Sequence, residues 1–161
     1  RGGLSGPKSL FVHADRPLIS TDLSSPILHE LVHTAMSARS GADGDWVVEG
    51  LAELYSLELL VRSKTMSRRR YAKALRRMEE RSRGVTNLVG GDSSGAQTAR
   101  AVIVLHEIDE EIEAATDGES SLDEVVRRLS VERGAISTER FCRIAEEVAG
   151  RPLATSAPAT A

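Results

Sequence analysis

The amino-acid sequence predicts a mainly α fold with an α+β N-terminus, in which a short edge strand is followed by about six helices. Three observations support this fold class. Apolar residues repeat with helical spacing over most of the chain beyond residue 25, and only one short apolar run has the character of a strand. The chain has only two Phe, two Tyr and one Trp, so aliphatic side chains must fill the core, a composition that leans towards helices.

The size and composition of the chain indicate one globular domain. Its 161 residues are 40% hydrophobic and 28% charged, an ordinary balance for a folded protein. We expect a domain at 1–153, cut from a longer protein whose N-terminal part would carry any export signal, which leaves the compartment open. The small residues at 154–161 are expected to form a flexible tail. A net charge of -3 argues against a nucleic-acid partner, and no apolar stretch reaches the ~20 residues of a membrane span.

A strand and a helix lead to the candidate site. Residues 9–14 form a short apolar run between Gly/Pro-rich and turn-forming residues, which predicts the edge strand. The first helix is expected to begin after Ser25, because Ser is a favoured N-cap and Pro26 suits the first helical position. Its apolar residues repeat with helical spacing up to Ala35, and it should end before the loop at 40–44.

Five further helices are predicted by the same reasoning. They are expected at about 45–60, 67–83, 96–115, 121–132 and 138–150. Asp45 is a suitable N-cap for the second helix, and Ser121 with Glu124 has the spacing of a capping box. The Gly-rich segment 84–95 is expected to be a flexible loop. The basic run 68–70 is expected to be a solvated helix face.

The run His29-Glu30-Leu31-Val32-His33 carries the strongest chemical signal in the sequence. Residues four apart lie one turn above each other on a helix, so His29 and His33 present their imidazoles to a common point. This is the arrangement of two ligands on one zinc ion. Glu30 lies on a neighbouring part of the helix surface, from which its carboxylate can act as a general base towards a water molecule on the metal. A pair of surface histidines is the alternative, but the apolar neighbours indicate a partly buried stretch.

A catalytic zinc ion needs three protein ligands and an open position for water. The chain has a single Cys, which excludes a Cys-based zinc cluster and leaves His and carboxylate as ligands. Glu49 on the following helix can complete the set, and Gly50 beside it lets this helix pack closely against a neighbour. Glu53 is expected to accept a hydrogen bond from the far ring nitrogen of a ligand His, although a solvated carboxylate is the alternative.

The His-Glu-x-x-His motif and the following Trp-x-x-Glu-Gly-x-Ala-Glu segment resemble the gluzincin metallopeptidases, in particular the glycyl aminopeptidases and the related membrane alanyl aminopeptidases. The resemblance implies a thermolysin-like catalytic domain that uses Zn²⁺ to hydrolyse peptide bonds in a peptide or protein substrate. It also implies that His29, His33 and Glu49 bind the zinc ion and that Glu30 is the catalytic base.

Weaker similarity extends over much of the remaining chain, including the family's later helices at 101–129. Two family positions differ. Ser5 stands where the family has a Glu that binds the substrate amine, and Thr98 stands where it has a Tyr that stabilises the oxyanion. The predicted metallopeptidase activity therefore does not extend to aminopeptidase specificity. A catalytically weakened or inactive zinc-binding or peptide-binding domain of a larger protein remains an alternative, as does a hydrolase of a non-peptide amide or ester.

Overall fold

The computed structural model describes residues 3–6, 9–15, 17–20, 23–37, 39–89, 95–132 and 134–155. Within these ranges the protein is mainly helical, as predicted. The described helices are α1 (Pro26–Met36), α2 (Asp45–Arg62), α3 (Arg68–Arg81), α4 (Gly95–Ala115), α5 (Leu122–Val131) and α6 (Thr138–Ala149). The described strands are β1 (Gly3–Gly6), β2 (Ser9–Val12), β3 (Arg39–Ser40) and β4 (Ala135–Ile136). None of these helices combines the length and the apolar composition needed to cross a membrane.

The N-terminal strand is shorter than predicted and has a partner. β2 ends at Val12 rather than at residue 14, because the chain turns at Ala14 and Asp15. β1, which was not predicted, pairs antiparallel with β2 along its whole length, and both strands pack against α1. The dipeptide Gly6-Pro7 is a turn signal in the sequence that could have revealed this hairpin. β3 and β4 form a second, parallel pair of only two residues each.

The N-termini of α1 and α2 differ in how well the local sequence predicts their caps. Ser25 caps α1 as predicted, because its hydroxyl accepts a hydrogen bond from a backbone N–H of the first turn (3.3 Å) and Pro26 is the first helical residue. The prediction that Asp45 caps α2 is wrong: Asp45 is the first helical residue, and Gly44 occupies the cap position. A Cβ at Gly44 would lie 1.8 Å from the carbonyl oxygen of Ile136, so only glycine fits there.

α2 is the central helix of the fold and packs mainly against α4 and α1. Its close contact with α4 is at Gly50, as predicted for this residue. A Cβ at Gly50 would lie 2.8 Å from the Cβ of Ala101 and 2.7 Å from Cδ1 of Leu105. The absent side chain lets the two helices approach, and the position of α2 against α1 brings Glu49 to the helix that carries the histidines.

α6 closes the core beside the start of α2. The indole N–H of Trp46 donates to the hydroxyl of Thr138 (2.9 Å), and that hydroxyl donates to the carbonyl of Asp43 (2.7 Å). Phe141 packs edge-on against Trp46, with ring centroids 5.8 Å apart. These contacts fix the first turn of α2, three residues before Glu49.

The residues that directly follow α6 contact the rest of the domain. Leu153 is buried, and the N–H groups of Ala154 and Thr155 donate to the carboxylate of Glu111 on α4, at 2.9 Å each. The first two residues of the predicted tail are therefore held by α4. Residues 156–161 of that tail lie outside the described residues, as do residues 90–94 of the predicted Gly-rich loop.

Candidate metal centre

The two histidines of the motif converge on one side of α1. The Nε2 atoms of His29 and His33 are 3.1 Å apart, and their rings meet edge to face with centroids 4.8 Å apart. Both side chains are 17% exposed, so they are shielded from bulk water but still accessible to it. The apolar flank of the motif explains this burial, because Val32 on the same helix belongs to the core. α1 therefore directs two imidazole nitrogens at one point.

Glu49 reaches the same point from α2. Its Oε2 lies 3.4 Å from Nε2 of His29, and its Oε1 lies 3.4 Å from Nε2 of His33. Donor atoms about 2.1 Å from a tetrahedral zinc ion stand roughly 3.4 Å from one another. The two Nε2 atoms, 3.1 Å apart, and each His–Glu pair, 3.4 Å apart through a different oxygen of Glu49, are close to this value, and one donor atom from each of the three residues lies within 4.8 Å of the others. Two imidazoles and a carboxylate are also a donor set that suits zinc.

Within the described ranges, this is the only group of three or more His, Cys, Asp or Glu side chains that could hold a metal ion. His29, His33 and Glu49 are all half-buried, and their donor atoms lie within 4.8 Å of one another. The geometry of the residues therefore fits a metal ion held between α1 and α2, with one side of the group accessible to solvent.

The charges of these side chains stabilise one another. Burial alone would lower the pKa of His29, but hydrogen bonds and electrostatic attraction from Glu49 and Glu53 outweigh it and raise this pKa to about 9. Hydrogen bonds from His29 and His33 lower the pKa of Glu49 to about 2, against the opposing effect of burial. In the absence of a metal ion, an imidazolium at position 29 is thus held between two carboxylates.

Glu53 lies behind the first histidine, one turn after Glu49. Its Oε2 is 3.0 Å from Nδ1 of His29 and its side chain is only 15% exposed, so it is not a freely solvated carboxylate. In the neutral form of His29 that could bind a metal ion, a hydrogen bond from Nδ1–H to this carboxylate leaves the lone pair of Nε2 directed towards Glu49 and His33. Carboxylates in this position orient ligand histidines and fix their tautomer.

Glu30 occupies the same helix as the histidines without joining the group of three. It follows His29 by one residue, which places it about 100° further around α1. The side chain is half-buried, and within the described part of the protein its carboxylate forms no hydrogen bond or ion pair. The backbone carbonyl of Glu30 accepts a hydrogen bond from the hydroxyl of Thr34 (3.0 Å), a contact that leaves the carboxylate unengaged.

The positions that depart from the family pattern lie on other elements. Ser5 is in β1, and Thr98 is in the first turn of α4. Both tyrosines of the chain have contacts of their own. The hydroxyl of Tyr55 donates to Asp123 (2.7 Å), and the ring of Tyr71 packs edge-on against His106. Within the described residues, the hydroxyl of Tyr55 is thus engaged by Asp123, whereas the buried hydroxyl of Tyr71 has no hydrogen-bond partner.

Comparisons with protein families, with curated proteins and with solved structures find no match to this chain. On the basis of its structure alone, the protein is a mainly helical domain with a His-His-Glu group whose geometry fits a metal ion.

Proposed function

We propose that this protein is a zinc-dependent metallopeptidase of the gluzincin type with a thermolysin-like catalytic domain. His29, His33 and Glu49 hold the zinc ion, and Glu53 orients His29. The observation that carries the proposal is the convergence of two imidazole nitrogens and one carboxylate from two helices, with one donor atom per residue within 4.8 Å of the others and a second carboxylate hydrogen-bonded to the first histidine. The resemblance of the two sequence motifs to the gluzincins supports the same assignment.

When bound, zinc supplies an acidified water molecule, with a pKa near 7, and polarises the scissile carbonyl group. Glu30 accepts the proton of the attacking water and delivers it to the leaving amine, which is the role of a general base and acid. An unengaged carboxylate next to a ligand is what this role requires. Glu53 keeps the proton of His29 on Nδ1, so that Nε2 remains a ligand.

The substrate in this proposal is a peptide or a protein segment in extended conformation. Within the described residues β2 pairs with β1 alone, so its other edge has backbone groups available for hydrogen bonds to an added strand. Both strands pack on α1, the helix that carries the motif. The hairpin therefore provides a surface along which a substrate backbone can align.

Zinc content is the first test. We expect one zinc ion per chain after purification without chelators, and its loss in His33→Gln. His106→Gln is the matched control, since His106 lies on α4 and contacts Tyr71 and Glu110 instead of the candidate ligands. Absence of zinc from the intact protein, after dialysis against Zn²⁺ as well, would refute the proposal.

Turnover is the second test. We expect the protein to cleave members of a peptide library, and Glu30→Gln to keep its zinc while losing at least about 10²-fold in rate, the contribution typical of a general base. Equal rates in the two proteins would show that Glu30 is not the base.

A second candidate function is a zinc-binding or peptide-binding domain without catalytic activity. The engagement of Tyr55 by Asp123 favours it, because an oxyanion donor is worth about 10²–10³ in rate and this hydroxyl is not available to act as one. The unengaged carboxylate of Glu30 argues for catalysis, since a structural metal site has no need of a base. Bound zinc without turnover on any peptide of the library would decide for this second candidate.

A further inference from the structure

The outer face of α3 carries a second candidate site, on a different helix from the metal ligands. Five exposed residues line a recess of about 460 Å³, which we call the basic recess: Ser67, Arg69, Arg70, Lys73 and Arg76. The four cations belong to a helix whose opposite face is fixed in the core by Ala74 and Met78. The chain as a whole has a net charge of -3, so this concentration of positive charge is local.

The cations of the basic recess are not neutralised within the described part of the chain. None of Arg69, Arg70, Lys73 and Arg76 forms an ion pair there. Arginines on other helices do have carboxylate partners. Those in described ion pairs include Arg62 with Asp123, Arg127 and Arg128 with Glu124, Arg140 with Glu132 and Arg143 with Glu147. The basic recess is therefore a place where an added anion would meet uncompensated charge, rather than only a solvated helix face.

The spacing of the cations indicates the size of that anion. A rise of 1.5 Å per residue places the whole set from Arg69 to Arg76 within about 10 Å along the axis of α3. An extended acidic peptide has side chains on one face only every ~6.6 Å, so it brings about two carboxylates to this length. Phosphate groups carry about 1.5–2 negative charges each, and two or three adjacent ones would match four cations. Arginine also binds phosphate through two parallel hydrogen bonds.

The surroundings of the basic recess point away from other polyanions. The exposed large hydrophobic residues within the described ranges are Phe11, Val12, Leu18, Leu31 and Val131, none of which is on α3. The aromatic residue of α3, Tyr71, is half-buried and packs against His106, so α3 offers the bases of a single-stranded nucleic acid no exposed aromatic platform. We propose that the basic recess binds a compact ligand that bears several adjacent phosphate groups, either free in solution or as a lipid headgroup.

The test measures binding of two probes to the complete chain. Inorganic tripolyphosphate represents the soluble ligand, and phosphatidylcholine vesicles with or without a bisphosphorylated phosphoinositide represent the lipid. The variant Arg69→Gln/Arg76→Gln removes two cations of the basic recess. The control Arg127→Gln/Arg143→Gln changes the net charge equally but removes cations that are paired with Glu124 and Glu147.

We expect the recess variant to lose at least about tenfold in affinity and the control to stay within about twofold, with binding that weakens as salt is raised. Binding of tripolyphosphate supports a soluble source, and binding only to the phosphoinositide vesicles supports a lipid source. Equal losses in both variants would overturn the proposal, as would the absence of binding to either probe. Equal or tighter binding of poly-glutamate or of duplex DNA at the same salt concentration would also overturn it.

Discussion

Replacement of Gly50 by alanine tests how α2 is positioned against α4. A Cβ at this position would lie 2.8 Å from the Cβ of Ala101, whereas carbon atoms in favourable contact are about 3.5–4.0 Å apart. Leu105, whose Cδ1 would be 2.7 Å away, can rotate its side chain, but the Cβ of Ala101 moves only with its backbone. The two helices must therefore separate by close to 1 Å to accept the methyl group.

Two opposing effects determine the size of the change in stability. Alanine is favoured over glycine inside a helix by about 1 kcal/mol. Overpacking of a close contact in the core typically costs about 1–3 kcal/mol, and the rigid partner at Ala101 places Gly50→Ala towards the upper end of this range. We expect a net loss of about 1–2 kcal/mol in the free energy of unfolding.

Urea unfolding followed by the fluorescence of Trp46, the only tryptophan, measures this loss. With a urea dependence of about 2 kcal/mol per molar, the midpoint should fall by roughly 0.5–1 M. Gly95→Ala is the matched control, because Gly95 begins α4 and the nearest atom to an added Cβ would be Nη1 of Arg81 at 3.8 Å. A Gly50→Ala protein as stable as the wild type would refute the close-approach argument.

Three further predictions concern other parts of the molecule. Thr138→Val leaves the buried indole N–H of Trp46 without an acceptor and should lower the free energy of unfolding, measured with urea, by about 1–3 kcal/mol. Thr138→Ser keeps the hydroxyl and should lower it less. Equal losses in the two variants would contradict the role of this hydroxyl as acceptor. Burial raises the pKa of Cys142 from 9.0 to about 11. Alkylation of this thiol at pH 8 should therefore be at least about 100-fold slower in the native protein than in the unfolded chain. Similar alkylation rates in the native and the unfolded protein would mean that the thiol is accessible. In chelator-treated protein, the pKa of His29 is raised from 6.5 to about 9, so its charge adds stability that is complete below pH 6.5 and is lost as the pH rises through 9. The loss, measured by thermal or urea unfolding, should be on the order of 1–2 kcal/mol and should be smaller in Glu53→Gln. A pH profile that is the same in Glu53→Gln and in the wild type would contradict the pairing of His29 with Glu53.

The sequence was most informative where one helix contains its own signals. The N-cap at Ser25, the proline that follows it and the four-residue spacing of the histidines all act within α1, and the structure has them as predicted. The close packing at Gly50 was also predictable, because a glycine inside an apolar helical pattern indicates a close helix contact. The role of Glu53 could be proposed because one helical turn separates it from Glu49.

Features that depend on distant parts of the chain could not be predicted in the same way. The cap of α2 is Gly44 rather than Asp45, because the carbonyl of Ile136, more than ninety residues later, leaves no room for a side chain. The partner of β2 was missed because strand pairing is not encoded in either strand alone. The uncompensated charge on α3 was likewise invisible, since it depends on where the carboxylates of other helices lie.

The closeness of the candidate metal ligands along the chain has a consequence for folding kinetics. α1 and α2 are joined by a short connection between Met36 and Asp45, and all three candidate ligands come from these two neighbouring helices. Closing so short a loop costs little conformational entropy, and contacts between sequence neighbours generally form early. The helical pair can therefore bring its donor atoms together before α4 and α6 have docked. A metal ion captured at that stage would accelerate folding itself, in addition to slowing the unfolding of the finished domain.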